Sequence, residues 1–269
     1  MESRRGVLER DGLRIPFVVG GDASGRRLVY AHGIHGRGEF ARQSVAPLVE
    51  RGWTIVTFDQ RGHADATPIK DPAQYTPALM GGDLLAILDE LGWDSAWIGG
   101  ESMGAATSIA AAFAQHGRVE GLVQVVPAIT DKTNDAAAAG FPAMADLLER
   151  DGVDAVIAAS AEQIRALGGS EEQIARLEDL RIHDPASLAC IWRTVPRWVM
   201  PEVPGRVGQF DFPVLVAGWR NEPIHPFETA EAMAAQAKRG TLVEFGLDDF
   251  VHDRGAIGRA IAGPLAKLA

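Results

Sequence analysis

The chain has 269 residues, of which 46% are hydrophobic and 23% charged, a balance that excludes a disordered chain and suits a soluble globular protein with a sizeable core. A net charge of −10 and a pI near 5.2 argue against nucleic acid or anionic lipid as partner, since both demand a basic face, and favour a small molecule. The single cysteine, Cys190, excludes an intrachain disulfide and reads as a small buried hydrophobe. The N-terminus carries no apolar stretch of signal-peptide length, and no segment approaches the ~20 apolar residues of a bilayer span, so no membrane partner and a cytoplasmic location are expected.

In chain order, Asp11-Gly12 is a hairpin-turn dipeptide ahead of the apolar run Leu13 to Val19, so the chain opens on an antiparallel pair. Leu28 to Ala31, Thr54 to Phe58, Ala96 to Ile98, Leu122 to Val126, Pro213 to Ala217 and Thr241 to Phe245 read as buried strands. Met80, Leu84, Ile87, Leu88 and Leu91 fall at helical spacing between two of them, as do Ile109, Ala112 and Phe113, and later Ile257, Ile261 and Leu265. Strand and helix alternate, which predicts an α/β fold with a mostly parallel central sheet flanked by helices. After Val126 the alternation stops, and residues 129–208 read as an inserted helical cap between core segments 1–128 and 209–269. The spacing predicts cap helices over Ala143 to Arg150, Ala155 to Leu167 and Ser170 to Leu180, the last opened by a capping box at Ser170-Glu171-Glu172-Gln173.

Gly100-Glu101-Ser102-Met103-Gly104 lies where the Ala96 strand ends and the helix from Ala105 begins. A sharp strand-to-helix turn strains its central residue and crowds the positions two before and two after it, and glycine at both relieves the crowding. The turn lifts the Ser102 hydroxyl to a helix N-terminus whose free N–H groups stabilise negative charge. Ser102 is therefore the candidate nucleophile.

This elbow resembles that of the α/β-hydrolase superfamily, and the resemblance covers nearly the whole chain. Tyr30-Ala31-His32-Gly33-Ile34-His35-Gly36 looks like the family's His-Gly loop, which implies that the backbone N–H of Ile34 is one oxyanion donor and that of Met103, after the nucleophile, the other. Phe58-Asp59-Gln60-Arg61-Gly62-His63-Ala64 resembles the family's Asp-x-Arg-Gly-His-Gly segment, with Ala64 in place of the last glycine, and reads as structural. His32, His35 and His63 fit no metal-ligand spacing, and neither metal nor cofactor is expected.

The family's chain order, nucleophile then acid then base, places the histidine after the final strand, which implies His252. It places the acid after the Val214 to Ala217 strand, where Asn221-Glu222 stands in place of the usual aspartate, so Glu222 is expected as acid, with Asp131 after the preceding strand as the alternative. The function implied is a serine hydrolase that cleaves an apolar carboxylic ester or lactone through an acyl-enzyme. The alternatives are a carbon–carbon bond hydrolase with the same machinery and a non-hydrolytic, ligand-binding protein on this fold. Trp192, Trp198, Met200, Phe141 and Met144 are candidates to roof an apolar pocket beside Ser102.

Overall fold

A computed structural model describes residues 3–201 and 203–269. The expectations about the N-terminus and the inserted segment fall in part on Met1, Glu2 and Glu202, which lie outside the described residues, as do the side chains of Ala136 and Pro204. Asp11 and Gly12 both take positive φ, 52° and 77°, the conformation of a two-residue hairpin turn whose twist matches that of its strands. They join β1 (Ser3–Arg10) to β2 (Leu13–Gly20) in an antiparallel pair.

Six further strands complete one sheet: β3 (Arg26–Ala31), β4 (Trp53–Phe58), β5 (Ala96–Glu101), β6 (Val119–Val125), β7 (Val214–Gly218) and β8 (Gly240–Glu244). The order is β1-β2-β4-β3-β5-β6-β7-β8, and every pairing beyond β2·β4 is parallel. Parallel strands need crossovers, and helices supply them: α1 (Gly38–Val49), α2 (Pro77–Glu90), α3 (Met103–Ala114), then after β6 α4 (Asp135–Ala166), α5 (Glu171–Ala175), α6 (Pro185–Thr194) and α7 (Val203–Arg206), and finally α8 (Phe227–Gln236), α9 (Leu247–His252) and α10 (Ala256–Leu268). Alternate residues of each strand enter opposite cores. Val29 and Ala31 pack with residues of α2, α3 and α8, while Leu28 and Tyr30 pack with residues of α1 and α10. Thr241 to Phe245 is not a fully buried strand: β8 is an edge, and its residues alternate between exposed and half-buried.

The helices expected over Ala143 to Arg150 and Ala155 to Leu167 lie on either side of a kink inside α4, where Gly152 takes a non-helical φ of 84° and ψ of 178° that no other residue type adopts cheaply. Ser170 and Gln173 form the capping box that opens α5, but only Glu171–Ala175 is α-helical, and a 3-10 turn continues from Arg176 to Ile182. The segment 59–63 ties the sheet to α2. Arg61 makes a buried bidentate ion pair with Asp83 at 2.6 and 2.7 Å, and Asp59 accepts the Gly38 N–H at 2.7 Å at the start of α1. Ala64, in the place where the family has glycine, takes a φ of 46°.

Candidate active site

Ser102 has φ 52° and ψ −111°, a strained conformation between β5 and α3. The flanking glycines explain how it is held: a Cβ on Gly104 would stand 2.6 Å from the Ala31 carbonyl carbon and 2.8 Å from the His32 oxygen, and one on Gly100 would stand 2.7 Å from the Ala31 oxygen. Only hydrogen fits at either position.

The sequence expectation and the structure part at the base. His225, in the loop after β7, places Nε2 2.8 Å from the Ser102 hydroxyl oxygen, and its Nδ1 lies in a short hydrogen bond with Glu222. A carboxylate only accepts, so Nδ1 carries the proton and Nε2 is left to accept from Ser102. The loop is built for this. Asn221 turns the chain at a φ of 64°, Glu222 accepts the N–H groups of Ile224 at 2.8 Å and His225 at 3.1 Å, and Trp219 packs edge-on against the imidazole at 5.8 Å. Burial works to raise the Glu222 carboxyl, but the hydrogen bond and charge of His225 and the Ile224 N–H outweigh it and hold the group below its ordinary value.

His252 is not at this site. It ends α9 with its side chain 61% exposed and Nδ1 2.9 Å from Glu172, because α9 turns Phe250 inward onto Trp219 and leaves His252 on the outer side. Asp131 is exposed and bonds to neither histidine among the described residues. Glu222 stands where the sequence placed the acid. The pattern missed is Glu-x-x-His: a spacing of three within one loop brings Glu222 and His225 together, and both were visible between Gly218 and Pro226.

Ile34 and Met103 border the same cavity as Ser102 and His225. Met103 opens α3, where backbone N–H groups have no partner within the helix. The His32–Ile34 loop is fastened from beneath. The Gln60 N–H donates to His32 Nε2 at 3.0 Å, so His32 Nδ1 donates to the Gly33 oxygen at 2.7 Å, and Gln60 Nε2 donates to the His32 oxygen at 2.6 Å. Trp192 also donates its indole N–H to His35 at 2.8 Å, and His183 receives the Ala64 N–H at 3.3 Å. Burial lowers all four histidines: His32 well below its ordinary value, His35 and His63 to about 4, and His183 to about 3, with the neighbouring His63 adding to the shift of His32, His35 and His183. These are neutral structural ties, and no group of three potential metal ligands occurs among the described residues.

The cavity has a volume of about 210 Å³ and is walled mainly by Ile129, Ala137, Phe141, Pro196, Trp198 and Ile224. Of the five residues expected to roof it, Phe141 and Trp198 do. Trp192 is fully buried beneath, Met200 belongs to the core on one face of the sheet, and Met144 packs against the cluster around α4 and α6.

Comparison with known proteins agrees with this fold. The family described as alpha/beta hydrolase fold matches residues 26–177, more than half of the chain. The protein named "Putative carbamate hydrolase RutD" from Variovorax paradoxus is 25% identical over 233 residues, 86% of each chain. Among solved structures, a thermophilic esterase from Thermogutta terrifontis superposes with a TM-score of 0.77 at 20% identity, covering 98% of this chain and 99% of that one. The enol-lactonase of Burkholderia xenovorans LB400 does so with a TM-score of 0.76 at 17% identity, covering 98% and 99%.

Proposed function

The chain belongs to the α/β-hydrolase fold family, and from that premise we propose that it is a serine hydrolase of carboxylic esters or lactones, with Ser102 as nucleophile, His225 as base and Glu222 as acid. The observation that carries this reading is the relay of two hydrogen bonds, Ser102 to His225 Nε2 at 2.8 Å and His225 Nδ1 to Glu222.

As Ser102 attacks the carbonyl carbon, its proton passes to Nε2, and Glu222 stabilises the imidazolium and fixes its tautomer. The oxyanion that develops lies between the N–H groups of Ile34 and Met103, which are in place before reaction and need no reorganisation. Collapse of the tetrahedral intermediate expels the alcohol, which takes the proton from His225. Water then enters, gives a proton to His225 and attacks the acyl-enzyme; as the second tetrahedral intermediate collapses, the bond to Ser102 breaks, the Ser102 oxygen takes that proton back from His225, and the acid product leaves. Residues 129–208 act as a cap over Ser102. A volume of about 210 Å³ suits a short apolar group.

Carbamate hydrolysis is a second reading, favoured by the name of the Variovorax relative. The same attack would release carbamic acid, which loses CO₂. Purified protein and Ser102→Ala, tested on a panel of short esters, lactones and carbamates and labelled with a fluorophosphonate, decide the matter. Turnover and labelling by the wild type alone support the proposal; unchanged turnover in Ser102→Ala removes the nucleophile. Release of CO₂ from a carbamate without ester turnover selects the second reading.

A further inference from the structure

On its other side Ser102 borders a second cavity, about 310 Å³, whose walls differ in kind. Glu101, Gln173, Arg176, Asp179 and Arg254 line it together with the imidazole of His225. Arg176 spends both protons of Nη2 on the backbone oxygens of Phe250 and Val251, and its guanidinium lies over the Phe250 ring at 5.1 Å. Its Nε–H and Nη1 protons have no protein acceptor among the described residues, and no carboxylate stands within ion-pair distance of it there. Arg254 is paired with Asp179 through Nη2 and lies over Phe40 at 3.9 Å, which leaves its other N–H groups without a side-chain partner among the described residues.

Two guanidiniums therefore share one committed carboxylate. Burial, then the like charge of Arg254, makes Arg176 easier to deprotonate than an ordinary arginine, with Asp179, Glu101 and Asp253 opposing only part of the effect. The remaining acid is Glu101, whose Oε2 is buried with no hydrogen-bond partner. Burial pushes its carboxyl up to about 7, with the Gly33 N–H, Arg254 and Arg176 opposing only part of the effect. A carboxyl raised to about 7 is protonated in part at neutral pH, and its protonated form supplies a donor where the ionised form would repel an anion.

We propose that this cavity binds a carboxylate on the substrate, held by the uncommitted N–H groups of Arg176 and Arg254, so that the preferred ester is apolar and short on one side of its carbonyl and acidic on the other. This rests on the esterase reading above. An N–H···O bond from a guanidinium to a carboxylate is charge-assisted and stronger than a neutral hydrogen bond.

The test compares matched esters by pH-stat. Monoethyl succinate is set beside ethyl levulinate, which has a methyl ketone in place of the carboxylate, and the acetate ester of hydroxypropanoate beside the acetate of its methyl ketone analogue. The two pairs place the charge on the acyl and on the alcohol side. In the wild type, the acidic member of at least one pair should have kcat/KM at least ~10-fold above its ketone, the factor expected of a charge-assisted hydrogen bond. In Arg176→Met that ratio should fall to within about twofold, and in Arg176→Lys, which keeps the charge but not the placement of the Nε and Nη1 donors, it should lie between. Ketone esters hydrolysed as well as or better than their acids, or a ratio unchanged in Arg176→Met, overturn the subsite and leave the esterase reading standing. If no ester is turned over, the esterase reading fails, and the thermal midpoint in the presence of succinate reads the subsite alone: a rise in the wild type that Arg176→Met loses supports it, and no rise overturns it.

Discussion

Glu222→Gln keeps the size of the side chain and removes one acceptor and the charge. In the wild type, Oε1 accepts the Ile224 N–H at 2.8 Å while Oε2 accepts both the His225 N–H at 3.1 Å and Nδ1–H. Glutamine has one oxygen for these two sides. With the oxygen toward Ile224, its NH₂ faces His225 and must donate to an unprotonated Nδ1, which moves the ring proton to Nε2 and leaves nothing to accept from Ser102. With the oxygen toward His225, the NH₂ meets the Ile224 N–H donor to donor. Either way the imidazolium loses its counter-charge, and kcat should fall ~10²–10⁴-fold, or ~2.7–5.4 kcal/mol at 1.36 kcal/mol per tenfold. KM should barely move, because Glu222 acts on the substrate only through His225. Steady-state kinetics on the best ester check this, with Asp131→Asn as control, expected within about twofold of wild type because its side chain is exposed and bonds to neither histidine. A kcat for Glu222→Gln within about threefold of wild type would refute the assignment of the acid.

Gly104→Ala drives a methyl into backbone atoms of Ala31 and His32 that cannot rotate away, so it should cost ~1–3 kcal/mol and lower the melting temperature by about 2–4 °C for each kcal/mol, with reduced kcat in the folded protein; wild-type values for both would contradict the crowding. Phe141→Ala and Trp198→Ala, which open the 210 Å³ cavity, should shift preference toward longer acyl chains in a graded ester series, whereas Trp192→Ala should lower the thermal midpoint instead; equal loss on every ester for all three would mean that none shapes the pocket. His35, His63 and His183 are neutral when folded, with values of about 4, 4 and 3, but take up protons near 6.5 when unfolded, so the stability they carry is complete above pH ~6.5 and drains as pH falls toward ~4. Denaturant titrations should show this fall, and His183→Gln should make it shallower by one proton, about 1.4 kcal/mol per pH unit; an unchanged slope would count against it.

The fold was readable because its signals are local and redundant. Asp11-Gly12 marks a turn, the strands are short apolar runs, and Gly100 and Gly104 bracket a serine at a strand-to-helix junction. The base was not readable in the same way. Chain order is a family regularity, and it pointed to His252, but which histidine faces Ser102 depends on how α9 is rolled, and Phe250 against Trp219 settles that roll outward for His252. His225 carried a physical signal of its own in its spacing from Glu222, where a turn of the chain at Asn221 lets acid and base meet within one loop. The roof was half readable for a related reason. Aromatic residues in an inserted segment mark something apolar, but only contacts separate Trp198, at the cavity, from Trp192, committed to His35 beneath it. The polar cavity around Arg176 gave no sequence signal at all, since its residues come from β5, α5, the 3-10 turn after it, the loop after β7 and the stretch after α9.

The base assignment is tested most directly by the turnover of His225→Ala beside His252→Ala on the best ester, with fluorophosphonate labelling of Ser102 in each. His225→Ala should lose ~10⁴-fold or more of kcat and label far more slowly, because nothing else accepts the Ser102 proton. His252→Ala should stay within about twofold of wild type in both assays, since an exposed imidazole paired with Glu172 touches nothing at the site. Full activity in His225→Ala together with a collapse in His252→Ala would contradict the relay and return the base to the loop after the last strand.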